Sequence, residues 1–228
     1  MTNQNAINNI QFSSINVQVF TDSGLYTPTP GMRYCYVQCY AGGGAGGGAE
    51  TTGAGEISGG GGGGAGAFAY QTFSATTIGA GPVTVTVGGA GAGTLGGAGG
   101  NGGDSVFGTF ITCHGGTGGY TLAATSSATG GAASGGGGGV IPTGGDYASP
   151  GQDGTSFGGV GTLSFFVASS GGPSPVGAAG VQQILTESPS AAQGYAAGGS
   201  GAFNGENQTQ LGGGAGAPGL IVVTEYIA

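Results

Sequence analysis

The longest single-residue run in this chain is glycine, Gly59 to Gly64, and glycine fills 62 of the 228 positions. Glycine loses more backbone entropy on folding than any other residue and has no side chain to bury. A chain of this kind orders only where many backbone segments approach closely and hydrogen-bond to one another. It has few side chains to hold in reactive geometry, so the expectation is a protein that is not an enzyme and needs no cofactor.

Only 4% of the residues are charged, against roughly 25% in ordinary globular domains. Disordered chains combine high net charge with low hydrophobicity, whereas 37% of this chain is apolar and strand-like blocks separate its glycine tracts. Collagen is excluded because glycine comes in runs and not at every third place. Nine carboxylates against the one basic residue, Arg33, give a net charge of −8. There is no basic patch to neutralise phosphates, so neither nucleic acid nor an anionic lipid surface is an expected partner. The N-terminus MTNQNAINNI lacks the charged start and apolar core of a signal peptide. The apolar stretches 163–168 and 220–223 are far too short to span a bilayer.

Cys35 and Cys39 lie four apart in a strand-like block, about 13 Å along the chain, too far for a bond between them. Both point to the face of Val37 and are read as small buried thiols. A zinc site would need ligands beyond the adjacent Cys113 and His114, so no metal is expected.

Residues 1–14 are read as a polar arm that could serve for attachment, and residues 15–228 as one glycine-rich domain. Ile15 to Val19 alternates as a half-buried strand does. Thr27 to Gly31 is a turn into Met32 to Tyr40, where Cys35, Val37 and Cys39 face one way and Tyr34, Tyr36, Gln38 and Tyr40 the other. Strands are also expected at 67–73, 82–87, 105–113 and 220–227, the last paired inside the fold with Met32 to Tyr40. No helix of consequence is expected, and 181–187 offers one turn at most.

Polyproline-II geometry gives the glycine tracts an ordered form, with three residues per turn and every N–H and C=O directed outward. Packed side by side, such helices exchange N–H···O=C bonds and weak Cα–H···O contacts. Alanine and serine are expected at outward positions. The fold class is therefore all-β, short sandwich-like strands combined with packed glycine helices.

Five blocks carry a resemblance to a known family. They are FTDSGLYTPTPGMRYCYVQCYAGGG at 20–44, GGGGGGAGAFAYQTFSA at 59–75, VTVTVGGAGAG at 83–93, GGNGGDSVFGTFITCHGGTGG at 99–119 and PGLIVVTEYIA at 218–228. In this order they are similar to the glycine-rich C-terminal domain of bacteriophage and prophage tail-fibre proteins. The resemblance implies a host-recognising fibre tip whose loops between stacked glycine helices contact a bacterial surface receptor, protein or polysaccharide. It further implies a virion location after synthesis in the bacterial cytoplasm, other fibre proteins as partners, and a homo-oligomer, with the trimer common among fibres. Family members usually carry a long shaft ahead of this domain. Here the resemblance begins at Phe20, so the expectation is a stand-alone tip or an arm that docks on a separate fibre. The alternative is a structural fibre subunit that recognises no receptor.

Repeated Gly-x-Gly-x-x-Gly patterns open no helix after a strand, which argues against a nucleotide site. Asp146 and Asp153 could in principle serve a glycosidase or calcium, but in a polar loop they are read as solvated. Loops on a rigid scaffold are the natural place for recognition, and aromatic residues give large contact area at low entropy. The receptor-binding candidates are therefore Tyr120, Asp146, Tyr147, Phe157, Tyr195, Phe203 and Asn204.

Overall fold

A computed structural model describes residues 13–160, 165–181 and 189–228. The chain begins with β1 (Ser14–Phe20), β2 (Gly24–Tyr26) and β3 (Met32–Tyr40), then runs through tract 41–49 into β4 (Glu56–Gly60). Tract 59–67 returns it to β5 (Phe68–Ser74), the one-turn helix α1 (Ala75–Ile78) and β6 (Val83–Thr86). Tracts 88–93 and 97–103 precede β7 (Ser105–Phe107) and β8 (Ile111–Cys113). Tract 114–120 leads to β9 (Thr121–Ser126) and β10 (Gly131–Ala133), and tract 134–139 to β11 (Tyr147–Ser149). Tract 150–155 leads to β12 (Phe157–Val160) and β13 (Phe165–Val167), and tract 169–172 to β14 (Gly177–Ala178). After β15 (Gln193–Gly194) come tract 196–202, β16 (Phe203–Asn204), tract 211–217 and β17 (Leu220–Ile227).

Two sheets form a sandwich at one end. One has the order β1-β17-β3-β5-β11, the other β2-β6-β7-β8. Alternation puts Cys35, Val37 and Cys39 of β3, Ile221 and Val223 of β17, and Phe73 of β5 on the inner face. They meet Val83, Val85, Phe107, Ile111 and Cys113 from the smaller sheet. As expected, β17 pairs antiparallel with β3, with Val223 opposite Val37.

Between this sandwich and two small sheets at the far end, β16-β4-β9 and β10-β12-β13, stands the glycine lattice, while the β14–β15 pair sits at the sandwich end near Tyr40 and Leu220. Along tract 41–49, Ala41, Gly44 and Gly47 donate their N–H groups to Ala67, Gly64 and Gly61. Gly42, Ala45 and Gly48 donate to Gly103, Gly100 and Gly97, while Gly43, Gly46 and Ala49 donate to Ala217, Gly214 and Leu211. Every third residue therefore meets the same neighbour, the threefold repeat of a polyproline-II helix. Carbonyls of the same tract accept from Gly91, from Gly116 and Gly119, and from Gly199 and Ala202. Tract 59–67 is enclosed in the same manner by other tracts: its N–H groups serve tracts 114–120, 150–155 and 196–202. At about 3.1 Å per residue, the nine residues 41–49 carry the chain about 25 Å from the sandwich.

Crowding explains the composition. A Cβ on Gly62 would stand 1.9 Å from the Ser170 carbonyl oxygen, and one on Gly61 2.1 Å from that of Ser134. In those directions a Cα–H faces a carbonyl, a contact that a side chain would abolish.

Three expectations need correction. The 105–113 block is a hairpin, not one strand, because Gly108 takes φ +53° and Phe110 N–H closes a turn onto the Phe107 carbonyl. As expected, the described residues hold no helix of consequence, only the single turn 75–78, where Ser74 accepts the Thr77 N–H as its N-cap, while 182–188 lies outside the described residues. Alanines do not all face outward: Ala45 and Ala65 are buried inside their tracts, whereas Ala90 and Ala92 are exposed. Finally, β1 is a strand, but Ile15, Val17 and Val19 are 53% to 62% exposed and Asn16 and Gln18 face inward. The reason is Glu225, a buried carboxylate that takes hydrogen bonds from both. Of the polar arm, residues 1–12 lie outside the described residues, and Ser13 and Ser14 already belong to the β1–β17 ladder.

Candidate binding surface

Loop 140–150 links tracts 134–139 and 150–155 at the sandwich end of the lattice. Gly144 and Gly145 take φ +80° and +102°, conformations that L side chains rarely adopt, and this turn swings the chain onto the edge of β5. Asp146 then fixes the register: its N–H donates to the Tyr70 carbonyl, and its carboxylate accepts the Thr72 N–H at 3.1 Å. Tyr147 consequently lies opposite Tyr70, with ring centroids 5.8 Å apart and planes at 19°. Phe68 completes a triangle of rings, 6.0 Å from Tyr147 and 5.5 Å from Tyr70. The Tyr40 and Tyr70 hydroxyls, 3.0 Å apart, extend this aromatic row; burial followed by the Tyr70 contact raises the Tyr40 hydroxyl above the ordinary tyrosine range.

Tyr147 remains 56% exposed and borders a groove of about 370 Å³ with Phe68, Pro150, Gln152, Pro173 and Pro175. Across the ridge 150–152 lies a second concavity of about 860 Å³, bordered by the exposed Val140 and Ile141 and by Asp153. The Asp153 carboxylate accepts the Gly138 N–H at 2.7 Å and ties the ridge to tract 134–139. The surface is thus aromatic, aliphatic and amide-bearing, and Arg33, the one basic residue of the chain, is not among the residues that border it. It suits stacking on a sugar ring or an apolar receptor loop better than recognition of phosphate or sulfate.

The seven candidates do not converge. Asp146 and Tyr147 share this loop. Tyr120 is exposed at the far end of its tract, and Tyr195 is half-buried against the Tyr40–Leu220 cluster. Phe157, Phe203 and Asn204 are corrected to structural roles. Phe157 and Phe203 are buried with their rings 5.6 Å apart in a core with Ile57, in space opened by the missing side chain of Gly59. Asn204 is buried and donates to the Glu50 and Thr209 carbonyls at 2.8 and 2.7 Å. Val140, Ile141 and the flanking prolines were not singled out from sequence, although large residues abutting a glycine tract are the signal that could have found them. His114 sits 3.2 Å from Asp104 while the Cys113 thiol turns to the Cys39 carbonyl, so the two adjacent residues form no dyad.

The architecture is that of an all-β scaffold in which a hydrogen-bonded glycine lattice stands on a sandwich and holds loops at both its ends. Residues 21–226 match the family model of the glycine-rich domain, so the chain belongs to that family. No curated protein matches the sequence. Among the described residues, no helix is long and apolar enough to cross a membrane.

Proposed function

We propose that this protein is a bacteriophage tail-fibre tip that adheres to a bacterial surface through loops between its glycine tracts, chiefly 140–152. The observation that carries this reading is the exposed Tyr147 ring, stacked on Tyr70 and packed against Phe68 beside the ridge 150–152 and anchored by Asp146 to a rigid sheet edge. Pre-ordered aromatic rings lose little entropy on contact and offer large area, which is what adhesion asks of a loop. The tail-fibre-like order of the sequence blocks supports the virion setting. Homo-oligomerisation and attachment to other fibre proteins belong to the same proposal.

A structural fibre subunit is the second reading, favoured by the uncharged apolar row Ile15, Val17 and Val19 on the edge strand β1, a type of surface open to pairing with another chain. Pull-down of the purified protein on a panel of intact bacterial cells separates the two. The adhesin reading expects saturable binding that the double variant Tyr147→Ala, Ile141→Ser loses by about tenfold or more at unchanged melting temperature. Multimers without saturable binding to any cell would replace it with the structural reading.

A further inference from the structure

The three cysteines are not equivalent. Cys39 projects from β3 of the larger sheet, Cys113 from β8 of the smaller one, and both are fully buried in the core where the sheets meet. The Cys113 thiol donates to the Cys39 carbonyl at 3.3 Å, and the Cys39 thiol to the Ser105 carbonyl at 3.5 Å. Ser105 is the cross-strand partner of Cys113, so the Cys113 thiol lies against β3 while the Cys39 thiol lies against β7, directly beside Cys113. The neighbouring Cys113, together with burial, holds the Cys39 thiol well above its ordinary range. Cys35 stands apart, four residues back on β3 and about 13 Å along it, beside Tyr26 and opposite Glu225, with its thiol pushed up to about 11 by burial.

We propose that Cys39 and Cys113 are an oxidation site that closes into a disulfide linking the two sheets when the chain folds outside a reducing environment. The bond would lie at the root of tracts 41–49 and 114–120, which begin two residues and one residue further on. The oxidant is a low-molecular-weight disulfide. One cysteine, as thiolate, attacks a sulfur of that disulfide; a mixed disulfide forms and one small thiolate leaves. The second cysteine, as thiolate, attacks the protein sulfur of the mixed disulfide, forms the Cys39–Cys113 bond and expels the second small thiolate. The two protons given up by the cysteines end on the two released thiols, and the small disulfide is the species reduced. Inside the closed sandwich both thiols are fully buried and closed to a small disulfide, so the exchange runs while the sheets assemble and the finished bond is then shielded from reductant. The inference is independent of whether the protein is an adhesin or a structural subunit.

The test refolds the full chain in a mixture of oxidised and reduced glutathione, alkylates remaining thiols in acid-quenched, denatured protein and digests with chymotrypsin, since trypsin has only Arg33 to cut. The expected result is one linked peptide pair holding Cys39 and Cys113, two hydrogens lighter than the reduced pair, with alkylation confined to Cys35. The oxidised protein should melt several degrees above the reduced one. Cys35→Ser should keep the difference and Cys39→Ser remove it. Alkylation of all three cysteines after oxidative refolding, or a linkage that includes Cys35, overturns the proposal. Peptide mapping of the wild-type chain decides this even if a variant fails to fold.

Discussion

The Glu225 carboxylate lies 2.8 Å from the Tyr26 hydroxyl, and both groups are fully buried between the sheets. An isolated carboxylate there would be strongly unfavourable. This one is ringed by donors: the Thr29 N–H at 2.8 Å, the Thr29 hydroxyl, Asn16 Nδ2 at 2.8 Å and Gln18 Nε2 at 3.4 Å. Burial pushes the Glu225 carboxyl upward, but the Thr29, Tyr26 and Asn16 hydrogen bonds outweigh it and hold the group below its usual value of 4.5. The same burial and the contact with Glu225 raise the Tyr26 hydroxyl far above the tyrosine range.

Acid should therefore loosen the sandwich through this group. A carboxyl whose folded value is depressed contributes stability that is fully present above its unfolded value and is lost as pH falls through the folded one. Melting temperature should be flat from pH 7 to about 5 and fall below pH 4.5. Glu225→Gln should lower stability at pH 7 by about 2–3 kcal/mol, because its amide N–H₂ meets donors, and should flatten the acid slope. An equal slope in the two proteins would place acid sensitivity elsewhere.

The lattice makes a sharper claim about glycine itself. A Cβ on Gly62 would stand 1.9 Å from the Ser170 carbonyl, whereas Gly89 has open space where its Cβ would point. Gly62→Ala should cost about 3 kcal/mol or more, in the range of overpacked cores. Gly62→Val should yield no soluble, protease-resistant protein. Gly89→Ala should be neutral or slightly stabilising, since it restricts the unfolded chain. Equal melting temperatures for Gly62→Ala and Gly89→Ala would dismiss close packing as the reason for the runs.

How much of this was legible in the sequence follows from what each residue's neighbours are. Strands β3, β5, β6 and β17 declare themselves through alternation because both their faces are set by nearby residues. Threefold glycine packing was readable for a similar local reason. Which tract pairs with which was not, because glycine tracts are chemically alike and the pairing is imposed by strands at their ends. The inward turn of Asn16 depends on Glu225, 209 positions away. Among the candidate contacts, Tyr147 looked exposed and is, while Phe157 and Phe203 looked similar and are core. The difference lies in Gly59, whose missing side chain opens a slot for the Phe157 ring. Nothing in the segment around Phe157 announces that slot.

On β1 the usual ranking of apolar over polar is inverted. Val17 is exposed, and Val17→Lys should change monomer stability by no more than about 0.5 kcal/mol. Asn16→Leu should cost about 1.5–3 kcal/mol, since it removes a hydrogen bond to a buried charge. Urea denaturation of both variants at pH 7 measures this directly. If Val17→Lys instead dissolves a multimer while the monomer's unfolding midpoint stays put, the β1 edge is a self-association surface. A large loss from Val17→Lys with none from Asn16→Leu would mean that the strand faces the other way.

Amide exchange offers the broadest check on the lattice, because it reads backbone groups that have no side chain to mutate. Gly44, Ala45 and Gly46 donate to three different neighbouring tracts and lie in the interior. Their exchange requires tracts to separate, an opening near the global unfolding event. Protection of about 10³-fold or more is expected, similar to that of Val37 and Val223 in the sandwich, for a fold stable by about 5 kcal/mol or more. Ala90 and Ala92, exposed on the rim, should exchange within seconds to minutes. A uniform fast rate across 41–49 and 59–67 beside a protected β3–β17 ladder would show that the tracts are solvated tethers. The loops that depend on them for position would then have no rigid support.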